Sequence, residues 1–327
     1  MNLYEQQASN RRKTWLVMLA FVGFFLVLGF GFDAFYLGAA GGVAPIGTVI
    51  ALGVGSASAA VSYFSGDRAV LAATHARPLE ELAAGATEAD AFTLRQLENV
   101  VDEMTIASGL PRPKVYVVPD ADPNAFATGR DPAHASLAVT RGLLDTLDRD
   151  ELQGVVAHEM SHIRNLDVRV MTIVAALVGA VALLADWARR GMMWGGGRRR
   201  DRDEDRGSGA AGIMLFGVWL IAVLLAPLLA QLLAMMVSRR REYLADASGA
   251  ELTRNPLGLA RALEKIESAA EPTPTINRGT AHLCIADPLG RQMNMKEGAW
   301  ANLFASHPPM AARIAALKEM AFQGRPR

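Results

Sequence analysis

The sequence predicts an α+β integral membrane protein, in which about four membrane-spanning helices interrupt a hydrophilic domain. Three observations lead there. The chain of 327 residues has 20% charged residues yet a positive mean hydropathy of +0.18, so its charges must be segregated. Long runs of the chain carry almost none of them. Between those runs, short strand-like segments alternate with amphipathic helical ones. The same composition excludes other classes. A 51% hydrophobic content, with Lys+Arg 33 balancing Asp+Glu 33, is the opposite of a disordered chain. Cys284 is the single cysteine and cannot close an internal disulfide. Zero net charge provides no broad basic surface, and no nucleic-acid partner is expected.

The first run, Thr14 to Phe32, is uncharged and has the length of the ~20 residues that cross a hydrocarbon core. A cleaved signal peptide has a shorter apolar stretch followed by small residues. Here Gly-Phe-Asp33-Ala-Phe-Tyr follows, which reads as a retained anchor. The second run, Ala34 to Gly66, carries small residues around Gly53, Gly55, Ser56 and Ser58, suited to close helix packing. The third, Val170 to Ala185, is at the short end for a span. The fourth, Ala210 to Val237, contains Pro227 and Gln231. Between these two lies a Gly-rich loop of mixed charge, Arg189 to Gly209.

Arg11, Arg12 and Lys13 precede the first run and place the N-terminus in the cytoplasm by the positive-inside rule. After two crossings, residue 67 onward is cytoplasmic again. The Arg-rich loop at 189–209 opposes the rule if the last two runs both cross; the acidic Asp201, Asp203, Glu204 and Asp205 soften that signal. Four parts result: 1–66 with two spans, 67–169 hydrophilic, 170–237 a hydrophobic hairpin, and 238–327 hydrophilic. Crossing or dipping, the hairpin returns both hydrophilic parts to one side of the bilayer.

In the first hydrophilic part, Leu94, Leu97, Val100, Val101 and Met104 mark one face of a helix over 92–107. Strands are expected at 114–118, 124–128 and 137–140. A helix then starts at Asp148, with Glu151 placed to complete a capping box. That helix carries His158-Glu159-Met160-Ser161-His162. Histidines at i and i+4 share a helix face and can hold one metal ion, while Glu159 stands beside the first ligand as a proton acceptor. A catalytic metal needs a third protein ligand and an open position. His75, His134, the His282/Cys284 pair and Glu242 are the candidates, and spacing does not choose among them. Asp246 lies one turn beyond Glu242, where a carboxylate can orient a ligand histidine through its other ring N–H.

HEMSH followed, after an apolar hairpin, by Arg241-Glu242-Tyr243-Leu244-Ala245-Asp246 resembles the HtpX-type membrane zinc metalloproteases and their relatives, the Ste-type CAAX prenyl proteases. Asn124-Ala125-Phe126-Ala127-Thr128-Gly129, the segment at 140–144 and Ser306-His307-Pro308-Pro309 extend the resemblance over nearly the whole chain. It implies a zincin-like metalloprotease domain on the cytoplasmic side, split by the hairpin, with one Zn2+ held by His158, His162 and Glu242. Glu159 is then the catalytic base and Asp246 the partner of a ligand. It further implies that the strands at 124–128 and 137–140 offer an exposed edge to an extended peptide, through Asn124, Ala125, Phe126 and Ala127. His307 and one of Arg239–Arg241 are placed near the site to stabilise an oxyanion. The expected substrates are proteins or peptides, foremost damaged membrane proteins at the cell (inner) membrane.

Three other readings make different demands. Prenyl-protein processing goes with more membrane helices. An inactive scaffold predicts a broken site, whereas His158, Glu159, His162 and Glu242 are all present. A metal transporter predicts ionisable groups inside the spans, whereas the four apolar runs contain no Asp, Glu, His, Lys or Arg and Gln231 is their one amide side chain.

Overall fold

The computed structural model describes residues 3–36, 45–179, 239–269, 283–286 and 308–323. The loop at 189–209, the fourth apolar run, His282 and His307 lie outside them. Helix α1 (Leu3–Tyr36) contains the first run, and α2 (Ile46–Ala73) begins inside the second and continues past it through Asp67 and Arg68. Both are long and apolar enough to cross a membrane, and their most apolar stretches are only 22% and 17% buried. A core helix of a soluble protein hides such side chains. Here Trp15, Leu19, Val27, Phe30, Val49 and Val61 face outward, as lipid-facing residues do.

The two helices pack closely because Gly29 has no side chain: a Cβ there would lie 2.7 Å from the Ala51 Cβ and the Thr48 Cα. At the far end Asp33 caps α2. Its carboxylate accepts the Gly47 and Thr48 N–H groups at 2.8 and 2.7 Å and the Thr48 hydroxyl at 2.6 Å. These are donors a helix N-terminus otherwise leaves unsatisfied.

The hydrophilic part is built on a four-stranded sheet of β1 (Arg77–Pro78), β2 (Lys114–Val118), β3 (Ala125–Gly129) and β4 (Ala135–Thr140), in the order β1-β2-β4-β3. β2 and β4 run parallel; the other pairs are antiparallel. β3 is therefore an edge strand. β4 is not: it is paired on both sides, so the edge expected of residues 137–140 does not exist.

Helices α3 (Leu79–Ala84), α4 (Glu88–Ser108), α5 (Arg141–Thr146) and α6 (Arg149–Arg164) complete this part. α4 buries the five residues its periodicity marked and ends at Gly109, whose φ of 67° supplies the left-handed cap. α6 starts with the expected capping box between Asp148 and Glu151. After a turn through Leu166 at φ 60°, α7 (residues 167–179) opens the third apolar run. Its Val170, Ile173, Val174 and Leu177 cluster with Val17 and Phe21 of α1.

From the C-terminal part, α8 (Arg239–Thr253) and α9 (Pro256–Ser268) pack on α6, which also touches α4 and β3, and α10 (Met310–Gln323) packs on α9 and α8. Gly249 of α8 allows a close crossing at the histidine, since a Cβ there would sit 3.0 Å from the His158 backbone nitrogen. Segments from before residue 180 and after residue 238 thus meet at α6.

Candidate metal centre

Every residue of α6 from Gly154 to Ile163 is buried, including His158, Glu159 and His162. Polar groups so placed must have partners, because each otherwise forfeits its hydration. The two imidazoles lie edge to face, with His158 Nε2 and His162 Nε2 3.2 Å apart. Across from them, Glu242 of α8 puts Oε2 3.7 Å from His158 Nε2 and Oε1 3.6 Å from His162 Nε2. Among the described residues these three form a group with ligand atoms within 4.8 Å of one another.

The opposite ring nitrogens are committed. His158 Nδ1 lies 2.9 Å from Asp246 Oδ1, and His162 Nδ1 lies 3.2 Å from Asp167 Oδ2. A carboxylate only accepts, so Nδ1 carries the hydrogen in each neutral ring and the Nε2 lone pairs point at each other. Two lone pairs at 3.2 Å beside a carboxylate repel unless a cation or proton stands between them. In the metal-free protein that demand falls on His162. Burial disfavours its charged form, but the bond to Asp167 and the nearby Glu242 and Glu159 outweigh this and push its pKa up to about 9. For a four-coordinate ion with bonds of about 2.0–2.1 Å, tetrahedral geometry separates ligands by about 3.3–3.4 Å. The nitrogen–nitrogen and nitrogen–oxygen distances lie within a few tenths of an ångström of that. The residues fit a divalent metal.

Glu159 faces β3, and its carboxylate accepts the Ala127 backbone N–H. Burial raises its pKa; the two imidazoles oppose this and Glu242 reinforces it. Asp246 is held in a fork by Arg313 of α10, which donates from Nε at 2.8 Å and from Nη2 at 2.7 Å. Burial would raise the Asp246 pKa, but Arg313 and His158 bring it down to about 2. Arg313 is itself fully buried, donates to the Ile285 carbonyl at 2.8 Å, and comes within 3.5 Å of Glu242.

The candidate residues divide as follows. His158, Glu159, His162, Glu242 and Asp246 converge. Of the arginines at 239–241, Arg240 is exposed, while Arg241 is buried against Asp167 at 3.3 Å. His75 is exposed and His134 pairs with Asp131. Cys284 packs with Phe126 and Leu283 and is not among the converging ligand residues. Asn124 to Ala127 lie on and beside edge strand β3, but the edge is covered. Ile285 N–H donates to Ala125 O at 2.9 Å, and the Asn124 amide donates to Ala286 O at 3.0 Å.

Asp167, Arg313 and Asn10 escaped the sequence reading. Asp167 stands five residues after His162 at the head of an apolar run, a signal in itself. Arg313 precedes Leu317 by four on one face of α10, and both are fully buried. Asn10 of α1 reaches Asp167 Oδ1 at 2.7 Å.

A model of peptidase family M48 matches residues 92–321. The chain is 41% identical over 320 residues to the "Protease HtpX homolog" of Caldanaerobacter subterraneus subsp. tengcongensis, covering 97% of this chain and 98% of that one. It is likewise 41% identical to the protein of that name from Ligilactobacillus salivarius, covering 97% and 100%. The crystal structure of S. mikatae Ste24p aligns over 96% of this chain and 67% of its own, at 17% identity and a TM-score of 0.45, too distant to bear on the assignment. With a family match that contains the whole ligand group and relatives matched from end to end, the chain belongs to peptidase family M48 and is a membrane metalloprotease.

Proposed function

We propose that the metal is Zn2+, held by His158, His162 and Glu242, and that the protein hydrolyses peptide bonds of membrane proteins from the cytoplasmic side of the inner membrane. One observation carries the site: three buried ligand residues converge on one point, and a further buried acid, Glu159, stands next to the first of them. Bound zinc polarises a scissile carbonyl and acidifies water. Glu159 accepts the water's proton and returns it to the leaving amine, a task suited to a carboxylate whose pKa burial has raised. The Ala127 N–H fixes that carboxylate's direction. Asp246 and Asp167 hold each imidazole with Nε2 toward the ion. His307 stands three residues before α10, the helix that brings Arg313 to Asp246, and we assign it to the oxyanion. A substrate strand along Asn124–Ala127 would take Ala125 O from Ile285.

The proposed topology has four spans, a zincin-like domain split into 67–169 and 238–327, and the site on the side of residue 1. In support, α7 opens the third run against α1, and the N-terminal end of α1 touches the end of α6 beside the ligand group. Arg11, Arg12 and Lys13 sit at that same end, which the positive-inside rule assigns to the cytoplasm. A site suspended there faces tails and loops of membrane proteins.

Zinc content of purified Glu242→Ala tests the ligand set: loss of bound zinc is expected, and full occupancy with full activity puts the third ligand elsewhere. For topology, Glu81→Cys should react with an impermeant thiol reagent only in opened cells and Ser208→Cys in intact ones. The reverse pattern inverts the orientation.

A further inference from the structure

Crossing a bilayer takes about 20 residues, and α1 has 34. Its surplus lies largely before the apolar stretch, where Gln6, Asn10 and Thr14 continue, at helical spacing, the buried stripe of Val17 and Phe21. An anchor alone has no use for a buried polar stripe, so its partners say what it does. Gln7 donates from Nε2 to the Arg164 carbonyl at 2.8 Å, and Asn10 donates from Nδ2 to the Asn165 carbonyl at 2.8 Å. Those carbonyls are at the C-terminal end of α6, where a helix has no donors of its own to offer. The Asn10 amide also donates to Asp167 Oδ1 at 2.7 Å, and its orientation is fixed because both partners only accept. Arg241 supplies a second donor to the same oxygen at 3.3 Å. Held from that side, Asp167 presents Oδ2 to His162 Nδ1.

We infer that Asn10 is a positioning residue of the metal centre: the cytoplasmic end of the first membrane helix holds Asp167, and through it the His162 imidazole, in the orientation that binds the ion. The membrane anchor is thereby part of the metal site. The inference rests on the proposed role of His162 as a ligand. It explains why α1 is helical so far before its span, and why its one fully buried asparagine meets α6 where the chain turns toward Asp167. It separates Asn10 from its neighbour Gln7, which touches only the helix end.

The test uses the full chain in detergent, with zinc affinity measured by chelator competition and thermal unfolding recorded with and without zinc. Asn10→Leu should weaken zinc binding about five- to tenfold, less than the 10–100-fold typical of losing a group in direct contact with a ligand. Gln7→Leu should lower the melting temperature of the metal-free protein while leaving zinc affinity within twofold. In an Asp167→Asn background, Asn10→Leu should have no further effect on affinity, because the pathway is already cut. If Asn10→Leu does not fold, Asn10→Ser, which shortens the donor's reach, is read by the same criteria. Zinc affinity unchanged in the Asn10 variant, or lowered equally by Gln7→Leu, overturns the inference while wild-type zinc binding stands. A wild type that holds no zinc overturns the metal reading itself, and the inference with it.

Discussion

Replacing Asp246 by Asn separates what its carboxylate does for the metal from what it does for the fold. Asp246 accepts from Arg313 Nε and Nη2 at 2.8 and 2.7 Å and lies 2.9 Å from His158 Nδ1, all away from water. An asparagine keeps the shape, loses the charge and turns one acceptor into a donor that faces another donor. On the metal side, losing the group that orients a ligand histidine costs 10–100-fold in affinity, or about 1.4–2.8 kcal/mol. On the folding side, a fully buried guanidinium loses its carboxylate, a change that costs 3–5 kcal/mol where no other partner is near. Glu242, 3.5 Å from Arg313 Nη1, retains part of the pairing, so about 3 kcal/mol is expected. At roughly 2–4 °C per kcal/mol, the metal-free protein should melt about 6–12 °C lower. Thermal unfolding of the stripped protein reads the second effect, and chelator competition for zinc reads the first. An Asp246→Asn protein with a melting temperature within 2 °C of wild type and zinc affinity within twofold would show that the carboxylate serves neither the metal nor the fold.

Gly249→Val should push α8 away from α6, because its first side-chain carbon already meets the His158 backbone at 3.0 Å. A loss of about 1–3 kcal/mol and weaker zinc binding are expected together, and melting at the wild-type temperature contradicts the tight crossing. Metal-stripped protein should lose stability as pH rises. The His162 pKa stands at about 9 in the fold against an ordinary 6.5, so its stabilisation is full below 6.5 and disappears through 9. The size is about 3 kcal/mol, the zinc-loaded protein should lack this slope, and a flat melting profile for stripped protein contradicts it. Binding of a non-hydrolysable extended peptide should deprotect the Ile285 amide to hydrogen exchange, because the peptide takes Ala125 O. Unchanged protection places the substrate elsewhere.

The parts legible in the sequence are those set by local spacing. Absence of charge located α1 and α2, the Asp148/Glu151 box located the start of α6, and the i, i+4 rule aligned His158 with His162. Asp246 was legible for the same reason, one turn beyond Glu242. What escaped depends on contacts between distant elements. Asp167 reaches His162 through a backward turn at Leu166, whose φ of 60° is unusual for leucine and leaves no mark in composition. Arg313 looks like a solvated position on an amphipathic helix until α8 supplies Asp246 as its partner. Asn10 meets Asp167 across 157 positions of sequence. The strand segment beginning at 124 is legible, but its covered edge is not, because Ile285 arrives from a distant part of the chain.

In the proposed reaction Glu159 moves the proton at an ion it does not hold. Glu159→Gln, purified beside wild type in the same detergent, separates those two roles. Both proteins should carry zinc, while cleavage of an unfolded reporter protein by the variant should fall at least about 100-fold. Equal cleavage by the two proteins, or loss of zinc from the variant alone, would contradict it.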